Sequence, residues 1–432
     1  MTCPDGIILR EYIVGGRFMK RIIAVALTVV MGLSLFVGCS KKPSLTYEIG
    51  DLDVGDEITY GEYKDEEIEW EIISRNFFIN EGKVQVKLLS KYVLDCQPFN
   101  ESGESSWEDS SLRKWLNSDF ISEAFSEEEQ KNLAETSYFN AYGDERFLSD
   151  RVYLMDNMWY RFRNEEAVAK PTKYAEEKGV DMQGDYCCYW GRDVITVNSA
   201  NTVIDYGGGN YPMMFDGAGN FSIGEKKVDD CFKQEVVGVR PVIVLEVASE
   251  FSRKDIEEAD IVTFGKNGDD PIEWIVAESS KDGLTLLARY AIDDKAVDTK
   301  GEEEFEDTEL YAWLNGEFYK KYFTRSEAKL MVEIDSDCYA TLMSRDEITD
   351  AIHGAENFKY EVYTGYCPKF YKAHPELKKK KLVQDQKIID QWWLRDEGKE
   401  DGTFVTFNMS QMFRDATAGE SKSVRPVIRV KI

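Results

Sequence analysis

Histidine is nearly missing from this 432-residue chain, which has only His353 and His374. Two isolated imidazoles do not build a zinc centre alone, and no CxxC or HxxxH spacing occurs, so no metal site is expected. Positive charge is scarce as well. Lys and Arg number 53 against 81 Asp and Glu, a formal net charge of −28. Nucleic acid, whose binding needs clustered cations, is excluded as a partner, and an anionic membrane face would repel the body of the chain. The one basic run, Lys378 to Lys381, lies in a polar segment and reads as a solvated loop. Nucleophile-elbow, phosphate-loop and dinucleotide fingerprints are absent; Gly207-Gly208-Gly209-Asn210 is a turn without the helix that such motifs require. No cofactor is expected. Apolar runs long enough to matter for a membrane are absent beyond residue 37.

The exception stands near the N-terminus. Lys20 and Arg21 precede an apolar run from Ile22 to Val37, which ends in Gly38-Cys39, the layout of a secretory signal. The run has 16 residues, short of the roughly 20 that span a bilayer, which disfavours an uncleaved membrane helix. Leu35-Phe36-Val37-Gly38-Cys39 resembles the bacterial lipoprotein box, in which cleavage occurs ahead of a cysteine that carries lipid. That resemblance implies a lipid on Cys39 and a place at the extracellular face of the cell membrane. Met19 is read as the translation start and residues 1–18 as an upstream extension, because Gly15-Gly16-Arg17-Phe18 is what a purine-rich ribosome-binding sequence would encode. Residues 19–38 are then the signal peptide and 39–51 a tether.

What the chain does contain is a tandem repeat. WEDSSLRKWLNSDFISEAFS, from Trp107, returns as FEDTELYAWLNGEFYKKYFT, from Phe305, at an offset of 198 residues. Eight positions are identical: Glu108/Glu306, Asp109/Asp307, Leu112/Leu310, Trp115/Trp313, Leu116/Leu314, Asn117/Asn315, Phe120/Phe318 and Phe125/Phe323. Leu112, Trp115, Leu116 and Phe120 follow helical spacing, with Asp109 or Ser110 placed to cap. Ser126 with Glu129, Thr324 with Glu327 and Ser344 with Glu347 are capping boxes, in which hydroxyl and carboxylate each satisfy an orphan amide. Upstream, Ile58-Thr59-Tyr60-Gly61 matches Val262-Thr263-Phe264-Gly265 at an offset of 204, and the difference of six predicts a shorter hairpin in the second copy. Downstream, Tyr189-Trp190-Gly191-Arg192-Asp193 answers Trp392-Trp393-Leu394-Arg395-Asp396, and each copy closes on a Val-Arg-Pro strand at Val239 to Ile243 and Val424 to Ile428. The domains are therefore placed at 52–247 and 258–432, with a charged linker at 248–257.

Repetition in diverged copies marks Trp115, Trp313, Trp190 and Trp393 as structural anchors. Arg240 and Arg425, flanked by apolar residues, are expected to be drawn inward and to pair with a carboxylate of the same repeat, Asp193 and Asp396 being the first candidates. Ligand contacts are expected in unshared loops, at Tyr186, Tyr206 and Tyr211, because Tyr and Trp stack well on sugar rings. The cysteines Cys96, Cys187, Cys188, Cys231, Cys338 and Cys367 do not recur between copies and read mostly as small buried hydrophobes. Asp216-Gly217-Ala218-Gly219-Asn220 lacks the alternating carboxylates of a hand-type calcium loop.

With the helix, the aromatic-Trp-x-Arg segment and the closing strand in that order, each copy resembles a domain of unknown function, family 6273, found in surface proteins of clostridia and related Gram-positive bacteria. At the level of fold it is also similar to C-type-lectin-like and formylglycine-generating-enzyme-like domains. The resemblance implies an α+β chain of two tandem C-type-lectin-like mixed domains. The function expected is a membrane-anchored, non-catalytic binding or adhesion module for an extracellular glycan or protein. The alternative is a degenerate enzyme of the formylglycine-generating or glycosidase type, which would need converging carboxylates or a cysteine pair.

Overall fold

A computed structural model describes residues 52–140, 146–156, 167–197, 209–223, 231–248, 251–302, 304–354, 358, 362, 391–408 and 413–432. The expected leader, Cys39 and the tether fall outside them. Among the described residues no helix is long and apolar enough to cross a membrane. The chain is α+β, as expected, with strands predominating and short helices between open sheets.

Each half opens on an antiparallel meander. In the first it runs through Glu57–Tyr63, Glu66–Phe78 and Lys83–Ser90; in the second, through Ile261–Asn267, Asp270–Ser280 and Gly283–Ala288. Alternation fixes which face is buried: Ile68, Trp70 and Ile72 point inward while Glu67, Glu69 and Glu71 do not. The indole N–H of Trp70 donates to Tyr60 O and that of Trp274 to Phe264 O, both at 2.7 Å, so a buried polar atom is satisfied identically in the two halves. Gly61 and Gly265 have φ of +78° and +75°, and a Cβ at either would lie 2.7 Å from the ring of Phe125 or Phe323. That approach explains why the glycine recurs.

The closing strands Pro241–Ala248 and Val427–Val430 return beside the third meander strand of their own half. A second, five-stranded sheet forms in each half with the same order. It is Phe221–Ile223, Gly209–Phe215, Tyr189–Val197, Gly238–Val239, Asp95–Cys96 in one and Phe413–Thr417, Thr403–Asn408, Gln391–Glu397, Lys422–Val424, Asp293–Lys295 in the other. In both, the Trp-bearing strand pairs in parallel with the one that leads into Arg-Pro, through Tyr189 and Gly238 or Trp392 and Ser423.

The shared helix departs from the simple apolar stripe expected. Ser111–Trp115 is α-helical with Ser110 as its cap, Leu116–Phe120 is a π-turn, and Ile121–Ala124 resumes the α-helix; Glu309–Trp313, Leu314–Phe318 and Tyr319–Lys321 repeat the sequence of turns. Asn117 sits in the widened turn. Its Nδ2 donates to Arg113 O and Val152 O, and its Oδ1 accepts from the N–H groups of Arg151 and Val152. Asn315 repeats all four bonds, with Tyr311 O, Ala340 O, Tyr339 N and Ala340 N. A side chain that takes a helix carbonyl and ties the turn to a neighbouring strand is a recognised cause of a local π-bulge. All three capping boxes form as expected.

The two halves share one sheet. Asn76, Phe77 and Phe78 pair in parallel with Ile261, Val262 and Thr263, joining both meanders into an 11-stranded sheet. A bulge between Ile72 and Ser74 shifts the alternation, so that Arg75 and Phe77 turn inward at the junction. Arg75 then binds Asp260 through Nε at 2.9 Å and Nη2 at 2.7 Å. The segment expected to be a linker packs here too, with Ile256 buried and Phe251 edge-on to Phe77 at 5.2 Å.

Candidate functional site

The strand after each meander carries an aspartate at one register, Asp95 and Asp293, and each accepts the next residue's backbone N–H, at 2.6 Å from Cys96 and 2.8 Å from Asp294. Two residues on, the backbone is pinned by a buried indole: Trp190 donates to Gln97 O and Trp393 to Lys295 O, both at 2.8 Å. The core tryptophans, fully buried as expected, thus position the side chains of Gln97 and Lys295. Trp115 and Trp313, the last residues of the α-helical turns ahead of the widened ones, are only half-buried and rest on the core through Phe120 and Phe318, each at 5.4 Å.

The two clusters differ in how much of their polarity is used up. In the first copy Asp95 is buried and accepts from Tyr63 Oη at 2.6 Å, Lys178 Nζ at 2.7 Å and Gln97 Nε2 at 3.4 Å. Burial, then the hydrogen bond to Asp95, pushes the Tyr63 phenol far above its ordinary value, which keeps it a proton donor. In the second copy Lys295 Nζ lies 3.2 Å from Asp293 Oδ2 and 4.5 Å from the centroid of Trp313. Carboxylate, ammonium and indole are all half-exposed there. Tyr322, 6.2 Å from Trp313, is raised by burial and then by the charge of Asp293. An indole surface beside a donor and an acceptor is what a sugar ring requires: an apolar face to stack on and hydroxyls to anchor.

The residues singled out as ligand contacts fare differently. Tyr211 is 1 % exposed and pairs with Ile195 inside the five-stranded sheet, in a strand buried on both faces from Tyr211 to Phe215, so it packs in the core and does not face a ligand. Tyr186 is half-buried, with Lys170 Nζ 5.9 Å from its ring centroid, and Tyr206 lies outside the described residues. Arg240 and Arg425 are buried, at 3 % exposed each. Arg240 Nε donates to Ser90 O at 2.8 Å. Arg425 donates to Ala288 O, Val362 O and Arg289 O, while Asp396 accepts from the backbone N–H of Arg345 at 2.7 Å. The carbonyls at the ends of the third meander strands, Ser90 O and Ala288 O, thus accept from the two guanidinium groups at equivalent places.

Asp95, Asp293, Gln97 and Lys295 were missed from sequence. The signal was present, because the match of Leu88-Leu89-Ser90-Lys91-Tyr92 to Leu286-Leu287-Ala288-Arg289-Tyr290 continues at the same offset to the aspartates.

Other candidates carry less. Cys96, Cys187, Cys188, Cys231 and Cys338 are all buried, and burial pushes Cys187 and Cys188 up to about 12, which leaves both thiols protonated and unreactive. Asp216 Oδ1 is taken by the N–H groups of Ala218 and Asn220, so its loop is closed on itself. No cluster of His, Cys, Asp and Glu suited to a metal occurs among the described residues. His353 lies on an exposed turn of the helix Arg345–Gly354, and His374 falls outside the described residues. A shallow polar groove of about 560 Å³, lined by Glu127, Gln130, Lys131, Arg151 and Glu246 among others, shares no residue with either cluster.

No curated protein and no solved structure matches the chain. A family model does match residues 83–247, from the third meander strand to the closing strand of the first half. Those residues are thus similar to a domain of unknown function, DUF6273.

Proposed function

We propose that the chain is a non-catalytic binding protein for an extracellular glycan, held at the outer face of the membrane by a lipid on Cys39. The observation that carries the reading is the half-exposed Trp313, with Lys295 over its face and Asp293 beside that lysine. The counterpart Trp115 ends the corresponding α-helical turn and is likewise half-buried. A lectin-like character for each half belongs to this proposal. The acidic balance, −28, favours a neutral glycan over an anionic one.

The full chain, extracted in detergent, is tested on an array of neutral and anionic glycans beside Trp313→Ala and Trp115→Ala. Retention of neutral glycans by the parent and a loss of at least tenfold in one variant supports the reading. An array without hits, or variants that bind like the parent, overturns it. The anchor is tested separately: Cys39→Ala should release the protein to the medium, and unchanged membrane association would refute the lipid.

A further inference from the structure

The halves meet through a hairpin arm of the first copy, where the strand Glu66–Phe78 runs on to pair with Ile261, Val262 and Thr263. In the second copy Asp270–Ser280 turns back at once into Gly283–Ala288, and the six-residue difference in repeat offset is this arm. At its tip Asn80 Nδ2 donates to Glu327 Oε1 at 2.6 Å. Behind the tip stands a cluster with an excess of negative charge. The Arg75 guanidinium meets three carboxylates: Asp260 through Nε at 2.9 Å and Nη2 at 2.7 Å, Asp53 through Nη1 at 2.6 Å, and Glu257 at 3.7 Å from Nη2. Each carboxylate comes from a different piece of chain. Asp53 precedes the first meander, Glu257 lies in the connecting segment, and Asp260 stands just ahead of the first strand of the second half. The side chains of Asp53 and Glu257 are 52 % and 68 % exposed, whereas those of Arg75 and Asp260 are 2 % exposed each. Water solvates the first two charges, so of the three carboxylates Asp260 is the one whose ionisation is opposed by its surroundings. It accepts from Glu257 N at 2.8 Å as well as from Arg75, yet burial outweighs these contacts and pushes its carboxyl up to about 6.

We propose that this cluster is an acid-responsive lock between the halves, which takes up one proton on mild acidification and then holds them together more firmly. The lock is independent of any ligand. When Asp260 is neutral, Asp53 and Glu257 remain as counter-ions, so the Arg75 guanidinium is not stranded. Proton linkage fixes the direction. A carboxyl whose folded value, about 6, lies above its unfolded value of about 3.9 adds its full stability below the lower value and loses it as pH rises through the upper one. Glu327, held below its ordinary value, acts in the opposite sense and in a separate window, below about pH 4.

The test is amide hydrogen exchange of the full chain between pH 7.5 and 5, read on the strand Ile261–Asn267 and corrected for the intrinsic pH dependence of exchange. Protection of that strand in the parent should rise by roughly tenfold on acidification, the ratio that folded and unfolded values of about 6 and 3.9 set at pH 5. Asp260→Asn, which keeps the shape and removes the titration, should show no such rise, and Asp260→Ser replaces it if the asparagine variant does not fold. Asp53→Asn should keep the rise, because the exposed aspartate is not the group that takes the proton. Protection in the parent that is flat or falls toward pH 5, or a rise that survives in a folded Asp260 variant, overturns the lock.

Discussion

Arg75 of the first half and Asp260 of the second form a bidentate ion pair, Nε to Oδ1 at 2.9 Å and Nη2 to Oδ2 at 2.7 Å, with both side chains out of solvent. Removing one member of such a pair strands the other, at a typical cost of about 3 to 5 kcal/mol. Arg75→Ala should therefore lower the denaturation midpoint and separate the unfolding of the halves into two transitions. A single transition at the parental midpoint in denaturant titrations would refute the role of the pair.

Glu327 ties the cap of the second half to the arm of the first. Burial by itself would raise its pKa; the donors from Thr324, Asn80 and Gly265 together outweigh burial and hold the carboxyl below its ordinary value. A depressed carboxylate stabilises the fold above its unfolded pKa of about 4.3, and that contribution is lost as pH falls through the lower folded value. Glu327→Gln should cost about 1 to 3 kcal/mol at pH 7, and the gap to the parent should close below about pH 4. A gap of constant size across that window, read by urea unfolding, would contradict the assignment.

The asparagine of the repeated Trp-Leu-Asn is a clamp. Asn315→Ala removes four hydrogen bonds, among them the acceptor for Tyr339 N and Ala340 N, and should cost about 2 to 4 kcal/mol in thermal or denaturant melts. Asn117→Ala should do the same in the first half. If either variant melts like the parent, the π-turn is held by something other than its asparagine.

Among the described residues Arg425 donates to three carbonyls. Arg425→Ala should therefore destabilise the second half by roughly 2 to 4 kcal/mol. Asp396→Asn, which keeps an acceptor for Arg345 N, should change stability by less than about 1 kcal/mol. Equal losses in the two variants would restore the Arg425–Asp396 pairing that the geometry replaces.

The amino-acid sequence by itself determined the local events. Ser126 with Glu129, Thr324 with Glu327, and Ser344 with Glu347 cap helices because three-residue spacing suffices to bring hydroxyl and carboxylate to each other's amides. Burial of Trp190 and Trp393 and the α+β class were legible for a similar reason: periodicity and repetition record which face a segment turns to the core. Only the tertiary structure decided what depends on distant chain meeting distant chain. The offset change read as a shorter second hairpin proved to be a docking arm in the first, because the strand it pairs with lies about 185 residues away, as the Asn76–Ile261 register shows. The guanidinium of Arg425 went to the carbonyls of Ala288 and Arg289, whose positions are set by the end of another strand. Tyr211 is buried because its strand, paired through Ile195, is covered on both faces from Tyr211 to Phe215. Asp293, Lys295 and Trp313 became neighbours because Trp393, nearly a hundred residues on, pins Lys295 by its carbonyl, a long-range contact that no local pattern encodes.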